Sequence, residues 1–254
     1  MVTWADAALA AERWVLPGEC MACRQPLTTH DDGLVCRLCQ ARWRAIPDPR
    51  CDTCGEPLQA GLGCRLCVDW PAGCGPVRSA VRLDPAARAL VHKFKYDGWW
   101  RLADSFARRM VPLLADVGDV DLVPVPLAAR RRQQRGYNQA EMLAEALSRL
   151  TGLPARTDRL YRSRETPTQT RLTPEARLAN LAEAFVAAPS DRSAWLVDDV
   201  FTTGATLTSA SRALLDAGAP QVGAVTFARA EPSLTDAASR LAPFTLPNGD
   251  EEHE

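Results

Sequence analysis

Several features that commonly announce a function are missing or scarce in this chain. Its 254 residues include only three histidines, His30, His92 and His253, and none has an evident nucleophile to activate. That argues against a catalytic cysteine, which would need a positioned base. No apolar run is long enough to span a membrane. The first twenty residues carry Asp6, Glu12 and Arg13 and lack a basic start followed by an apolar core, so no secretory leader is expected. The expected location is the cytoplasm, with no membrane insertion. Net charge is almost absent, at −1, which conceals local bias. Residues 120–180 hold eleven arginines against six acids, while residues 249–254 are acidic. Residues 20–76 have too little apolar mass to form a core without covalent or metal staples.

Cysteine is abundant. Eight of the nine cysteines form four Cys-x-x-Cys pairs: Cys20/Cys23, Cys36/Cys39, Cys51/Cys54 and Cys64/Cys67. In a cytosolic chain this pattern points to metal rather than to disulfides. Each pair presents two sulfurs to one ion, and two pairs complete a tetrahedral Zn²⁺ shell. The spacing leaves open whether the first pair closes with the second, or the first with the third and the second with the fourth. Closed four-sulfur sites are structural. The segment also repeats itself: Cys20-Met-Ala-Cys-Arg-Gln-Pro-Leu27 echoes Cys51-Asp-Thr-Cys-Gly-Glu-Pro-Leu58, and Cys36-Arg-Leu-Cys39 echoes Cys64-Arg-Leu-Cys67. Two copies of a small four-cysteine unit are expected. Cys74 is left over and reads as an inert thiol. Arg24, Arg37, Arg42, Arg44, Arg50 and Arg65, interleaved with Trp43, suit a surface for single-stranded nucleic acid. They equally suit a solvated face around a metal staple.

Beyond the boundary at Gly73–Pro76, strand and helix patterns alternate. An amphipathic helix is expected over residues 1–18, strands over 77–83, 121–126, 195–200 and 222–228, and helices from Pro85 to Tyr96 and over 99–115, 138–150, 178–184 and 207–215. Strands alternating with helices predict an α/β fold, a doubly wound and mostly parallel sheet behind a small N-terminal cysteine zinc-ribbon module. The expected division is 1–76 for helix and zinc module, 77–235 for the α/β domain and 236–254 for a disordered tail.

The densest chemistry lies at Ala194-Trp-Leu-Val-Asp-Asp-Val-Phe-Thr-Thr-Gly-Ala-Thr206. An apolar strand delivers two carboxylates to its carboxyl end, where open α/β sheets bind ligands. Thr202, Thr203, Gly204, Ala205 and Thr206 then offer hydroxyls and free N–H groups at a helix start, a nest for phosphate. Asp198 and Asp199 would repel phosphate, so they are expected to face sugar hydroxyls, a metal ion or both. Val123-Pro-Val-Pro-Leu127 and the basic run from Arg130 to Arg135 precede this segment.

The acid pair and threonine loop resemble the phosphoribosyl pyrophosphate (PRPP) signature of type I phosphoribosyltransferases. Val123–Leu127 resembles their pyrophosphate loop. The chain as a whole resembles the ComF-type competence proteins. The resemblance rests on the cysteine pairs, His92-Lys-Phe-Lys-Tyr-Asp-Gly98, Val123-Pro-Val-Pro126, Arg135-Gly-Tyr-Asn-Gln-Ala140, Thr166–Gln169 with Arg177 and Asn180, and Val197–Thr206. It covers Cys20 to Arg229.

The resemblance implies PRPP with Mg²⁺ as ligand and structural zinc as cofactor. It further implies single-stranded DNA, and DNA-uptake or recombination proteins, as partners in natural transformation. Under it, Thr202–Thr206 hold the 5′-phosphate and Asp198 and Asp199 serve the ribose hydroxyls and the developing sugar cation. The backbone of Val125, Pro126 and Leu127, with Arg130 or Arg132, would grip pyrophosphate. Residues 162–171 would form a lid, and Lys93 and Lys95 would either reach the diphosphate or be ordinary surface lysines. Three readings compete: a transferase acting on an amine or base (nucleotide salvage included), a PRPP-sensing nucleic-acid-binding protein without turnover, and a zinc scaffold. The acids and phosphate loop disfavour the last.

Overall fold

The computed structural model describes residues 18–28, 31, 33–59, 63–64, 66–68, 70–163 and 184–230. The expected helix over residues 1–18, almost all of the expected lid and of the helix at 178–184, Arg65, and the tail from 236 lie outside them.

Four strands form one parallel sheet: β1 (Cys74–Arg82), β2 (Asp121–Pro124), β5 (Ala194–Phe201) and β6 (Val222–Arg229), in the order β1-β6-β5-β2. β6 is buried throughout, as a central parallel strand must be with helices over both faces. Two short strands that the sequence did not announce, β3 (Leu160–Arg162) and β4 (Phe185–Ala187), pair antiparallel beside the sheet. Three residues each leave too little alternation to read.

Helix α1 (Arg37–Ala41) lies in the cysteine-rich segment. α2 (Pro85–Tyr96) starts where Asp84 accepts a hydrogen bond from the Ala87 N–H at 2.9 Å, with Pro85 in the first turn. One long helix was expected over 99–115. The structure has α3 (Leu102–Met110) followed by a 3₁₀ turn at Val111–Leu114, because Pro112 has no N–H for a helical bond. The basic run forms α4 (Ala129–Arg135), which Gly136 ends in the left-handed conformation at φ 80°. α5 (Gln139–Thr151) and α6 (Ala205–Asp216) complete the set.

One sheet face carries α2, α3 and α5, with Leu90, Phe94, Phe106, Leu143, Val197 and Phe227 at its core. The other carries α6 and the β3–β4 pair over Val123, Leu196, Leu214 and Ala224. The doubly wound reading therefore holds. The cysteine-rich segment shares the first core: Leu27, Val35 and Trp43 join it. Trp43 packs edge-on to Phe106 at 6.1 Å and to Phe227 at 5.1 Å, and those two rings stack at 3.8 Å. A segment too poor in apolar residues for its own core thus borrows the sheet's. β1 itself begins at Cys74, within the boundary read at 73–76.

Trp195 is bulky for a central strand. Its neighbour across the ladder is Gly223, where an added Cβ would lie 2.6 Å from the indole, and the Arg78 guanidinium covers the ring at 5.0 Å. A missing side chain on one strand makes room for a large one on the next.

Candidate functional site

The cysteines gather in sequence order. Cys20, Cys23, Cys36 and Cys39 form one group and Cys51, Cys54, Cys64 and Cys67 the other, with sulfurs within 4.8 Å of one another. That excludes the crossed pairing. Measured separations are 3.8 Å for Cys23–Cys36, 3.6 Å for Cys51–Cys67, 3.4 Å for Cys54–Cys64 and 3.7 Å for Cys64–Cys67. Four thiolates around Zn²⁺ would stand about 3.8 Å apart, so both groups fit structural zinc. Within each group the thiols divide: Cys20 and Cys51 are brought down, while burial pushes Cys36, Cys39, Cys54 and Cys67 up. Burial works to raise the Cys20 thiol, but the backbone N–H groups of Cys36, Cys23 and Ala22 outweigh it and bring it down to about 7. Cys74 is different: it is buried beside α6 and burial pushes its thiol up, as an inert thiol requires.

All four sheet strands end on one edge, and the remaining expected site residues collect there. β5 ends at Phe201, Thr202 and Thr203 are exposed, and Gly204 turns the chain at φ 85° into α6. No side chain caps this helix. Its first N–H groups lack intrahelical partners and carry the positive end of the dipole. An anion is the partner that such a terminus accepts.

Asp198 and Asp199 project to opposite faces of β5, as consecutive strand residues do. Asp199 is 4% exposed and faces α2, where Lys95 Nζ lies 2.9 Å from its Oδ1. Its Oδ2 is buried with no hydrogen-bond partner among the described residues. Asp198 is partly exposed, and its Oδ1 accepts the Asp199 N–H at 2.8 Å. Burial, and then the Asp199 carboxylate, push the Asp198 carboxyl up to about 7, against the pull of Lys95. Lys95 is one of only two lysines in the chain, beside 28 arginines; the other is Lys93. Carboxylate oxygens are the donors Mg²⁺ takes, and a buried acceptor without a partner suits a cation or a hydroxyl.

The proline loop follows β2 on the same edge. The Val125 N–H donates to the Val197 carbonyl at 3.0 Å and Pro126 has no N–H. Of Val125, Pro126 and Leu127, only Leu127 has an N–H not given to the sheet among the described residues. The expectation of a row of amides narrows accordingly. Asn138 holds the loop from below: Nδ2 donates to the Val125 carbonyl at 3.1 Å while Oδ1 accepts from the Ala140 N–H and caps α5. Tyr137 donates to the Phe94 carbonyl, and Gln139 to the Lys95 carbonyl at 3.5 Å. The Arg-Gly-Tyr-Asn-Gln segment therefore fixes the end of the lysine helix and the proline loop together. Residues this far apart in the chain give no local signal of that role.

Among the arginines, Arg132 pairs with Glu141 at 2.8 Å, Arg130 is exposed on α4, and Arg135 covers the Tyr96 ring at 4.7 Å. Arg162 is held below its ordinary basicity by burial and by the nearby positive charge of Arg131.

The proposed strand-binding surface on the cysteine module needs correction. Arg24, Arg37, Arg42, Arg44 and Arg50 are exposed, but Trp43 is 4% exposed and belongs to the core, so it stacks on no base. Exposed aromatics occur instead where α2 meets α3: Tyr96 at 60%, Trp99 at 40% and Trp100 at 50%, the last covered by Arg101 at 5.6 Å. Trp99 and Lys93 also line a 420 Å³ cavity with Arg24, Met21 and Leu34. No helix among the described residues is long and apolar enough to cross a membrane.

A family model for the double zinc ribbon domain matches residues 11–68. The chain is 32% identical over 225 residues to competence protein F of Haemophilus influenzae, covering 83% of this chain and 96% of that one. The chain belongs to the ComF family. This ComF-family chain is also 30% identical over 217 residues to the DNA utilization protein YhgH of Escherichia coli K12, covering 82% of it and 95% of the relative. Among solved structures, an adenine phosphoribosyltransferase matches at 16% identity and a TM-score of 0.35, covering 60% of this chain and 82% of that one.

Proposed function

We propose that this ComF-family protein binds PRPP as its Mg²⁺ complex at the carboxyl edge of the sheet and acts on cytoplasmic single-stranded DNA during DNA uptake, as a phosphoribosyl-transfer site. The observation that carries the reading is the uncapped start of α6, with Gly204 left-handed, beside an acid pair that keeps one buried oxygen without a partner.

The parts divide by charge. Thr202–Thr206 take the 5′-phosphate through N–H groups and hydroxyls. Asp198 and Asp199 take the ribose hydroxyls and would hold Mg²⁺, which would supply charge neutralisation for the departing diphosphate. Leu127 and Arg130 attract the diphosphate; Arg132 is half-spent on Glu141. Transfer breaks the bond from sugar C1 to diphosphate, whose oxygen keeps the electron pair, and forms a bond from C1 to the acceptor's nucleophilic atom, which gives up its proton. The carboxylates stabilise the cationic sugar left behind, and positioning does the rest.

The DNA arm of the reading draws support from the relatives' names, competence protein and DNA utilization protein. The exposed aromatics between α2 and α3, flanked by Lys93 and Arg101, are a stacking surface of the kind single strands use. The whole reading is tested by titration calorimetry of Mg-PRPP with the wild type and Asp198→Asn/Asp199→Asn, and by salt-dependent binding of single-stranded DNA with Trp99→Ala/Trp100→Ala. Undiminished PRPP affinity in the acid variant would sink the ligand assignment. Diphosphate release with a panel of bases, amines and DNA identifies the acceptor.

A further inference from the structure

The second zinc ribbon lies against the root of the phosphate loop, and two separate contacts converge there on one ring. The first runs through Trp70. Its N–H donates to the carbonyl of Cys67, a zinc-ligand position, at 3.2 Å. The Trp70 indole packs against Phe201 at 6.3 Å between centroids and occupies the space beside Gly204. A Cβ on Gly204 would lie 2.6 Å from Trp70 Cζ2.

The second runs through Arg229, 4% exposed at the end of β6. Nη1 donates to the carbonyl of Cys54 at 2.7 Å, Nε and Nη2 donate to Glu56 of the same knuckle, and the guanidinium covers the Phe201 ring at 4.1 Å. The Ala230 N–H then donates to the Phe201 carbonyl at 2.8 Å. Phe201 is fully buried and directly precedes Thr202. The knuckle also meets β1, where the Val77 N–H donates to the Thr53 carbonyl at 2.8 Å. Gly55 lies so near that a Cβ there would be 2.7 Å from the Val77 carbonyl oxygen. The first ribbon has its contacts elsewhere, at Ser105, Phe106 and Phe227.

We propose that the second ribbon is a working part of the phosphate-binding site. Trp70 and Arg229 are positioning residues that carry the geometry of the second cysteine cluster through Phe201 to the Thr202–Thr206 loop. Gly204 thereby answers two requirements, a left-handed backbone and room for the indole. The buried Phe201 ring gives the ribbon something to press on. Metal in the second cluster, rather than in the first, sets how well the loop is held. This rests on the phosphate assignment above for its meaning, and on the contacts alone for its mechanics.

The test uses the full-length, zinc-loaded protein and reads the loop directly. Amide hydrogen exchange at residues 203–207 is compared in the wild type, Trp70→Ala and Trp70→Phe without ligand, with α5 and β6 as internal references. Exchange at 203–207 is expected to quicken at least tenfold in Trp70→Ala, to stay near wild type in Trp70→Phe, and to leave the references unchanged. Mg-PRPP affinity should fall about tenfold in Trp70→Ala. If Trp70→Ala does not fold, Trp70→Leu replaces it, with Arg229→Lys as the second arm. Unchanged exchange in these variants, or quickening equal in loop and references, overturns the inference. A wild type that fails to bind PRPP defeats the functional reading and leaves the exchange result to decide this one. Partial chelation supplies a further arm: loss of loop protection should follow release of the second zinc, and loss only on release of the first would refute the coupling.

Discussion

Replacing Asp198 by asparagine should stabilise the ligand-free protein at alkaline pH. The wild-type carboxyl titrates near 7 in the fold, because burial and Asp199 oppose its charge, against 3.8 for an ordinary aspartate. Between those values the native state keeps a proton that the unfolded chain has released, so stability falls as pH rises. The contribution is complete below about pH 4 and gone above about pH 7. Within pH 6 to 8, where zinc-bound cysteines stay loaded, the linkage amounts to about 1.4 kcal/mol. The full shift is worth about 4 kcal/mol, an upper limit because Asp198 is partly exposed. The amide oxygen of the new side chain still accepts the Asp199 N–H, so the substitution removes charge and little else. Urea unfolding of both proteins at pH 6, 7 and 8, without Mg²⁺, measures this. The wild type should lose about 1.4 kcal/mol relative to the variant across that window. Parallel profiles would refute both the raised carboxyl and the charge argument behind it.

Three further outcomes follow from the packing. Gly223→Ala drives a methyl into the Trp195 ring in the middle of the sheet and should cost about 1–3 kcal/mol; thermal unfolding measures it, and Trp195→Leu should restore most of the loss. Glu56→Gln leaves the buried Arg229 guanidinium without its counter-charge and should destabilise by about 3–5 kcal/mol in denaturant unfolding. Metal analysis should find two zinc ions per chain, one after Cys36→Ser/Cys39→Ser, and still two after Cys74→Ala.

The local features were legible because their signals are short. Cys-x-x-Cys turns place two sulfurs by themselves, Asp84-Pro85 and Asn138 start helices by capping, and a strand ending in two acids before Thr-Thr-Gly orders its own backbone. Pro112 was equally visible as a helix breaker, yet apolar periodicity on either side concealed it. What the sequence alone determined is therefore the α/β alternation, the paired cysteines and the chemical kinds of group at the Thr202–Thr206 loop.

Tertiary structure decided how these pieces meet. Trp43 carries no mark that distinguishes a core indole from a stacking one; only the Phe106 and Phe227 rings around it do. Lys95 lies 104 residues from Asp199, and only the folded chain brings the end of α2 to the end of β5 for their ion pair. The consecutive grouping of the cysteines, and the seating of the second ribbon beneath Phe201 and Gly204, depend on contacts between distant segments. Such contacts form only when the sheet and its helices exclude water together, so no window of the chain contains them.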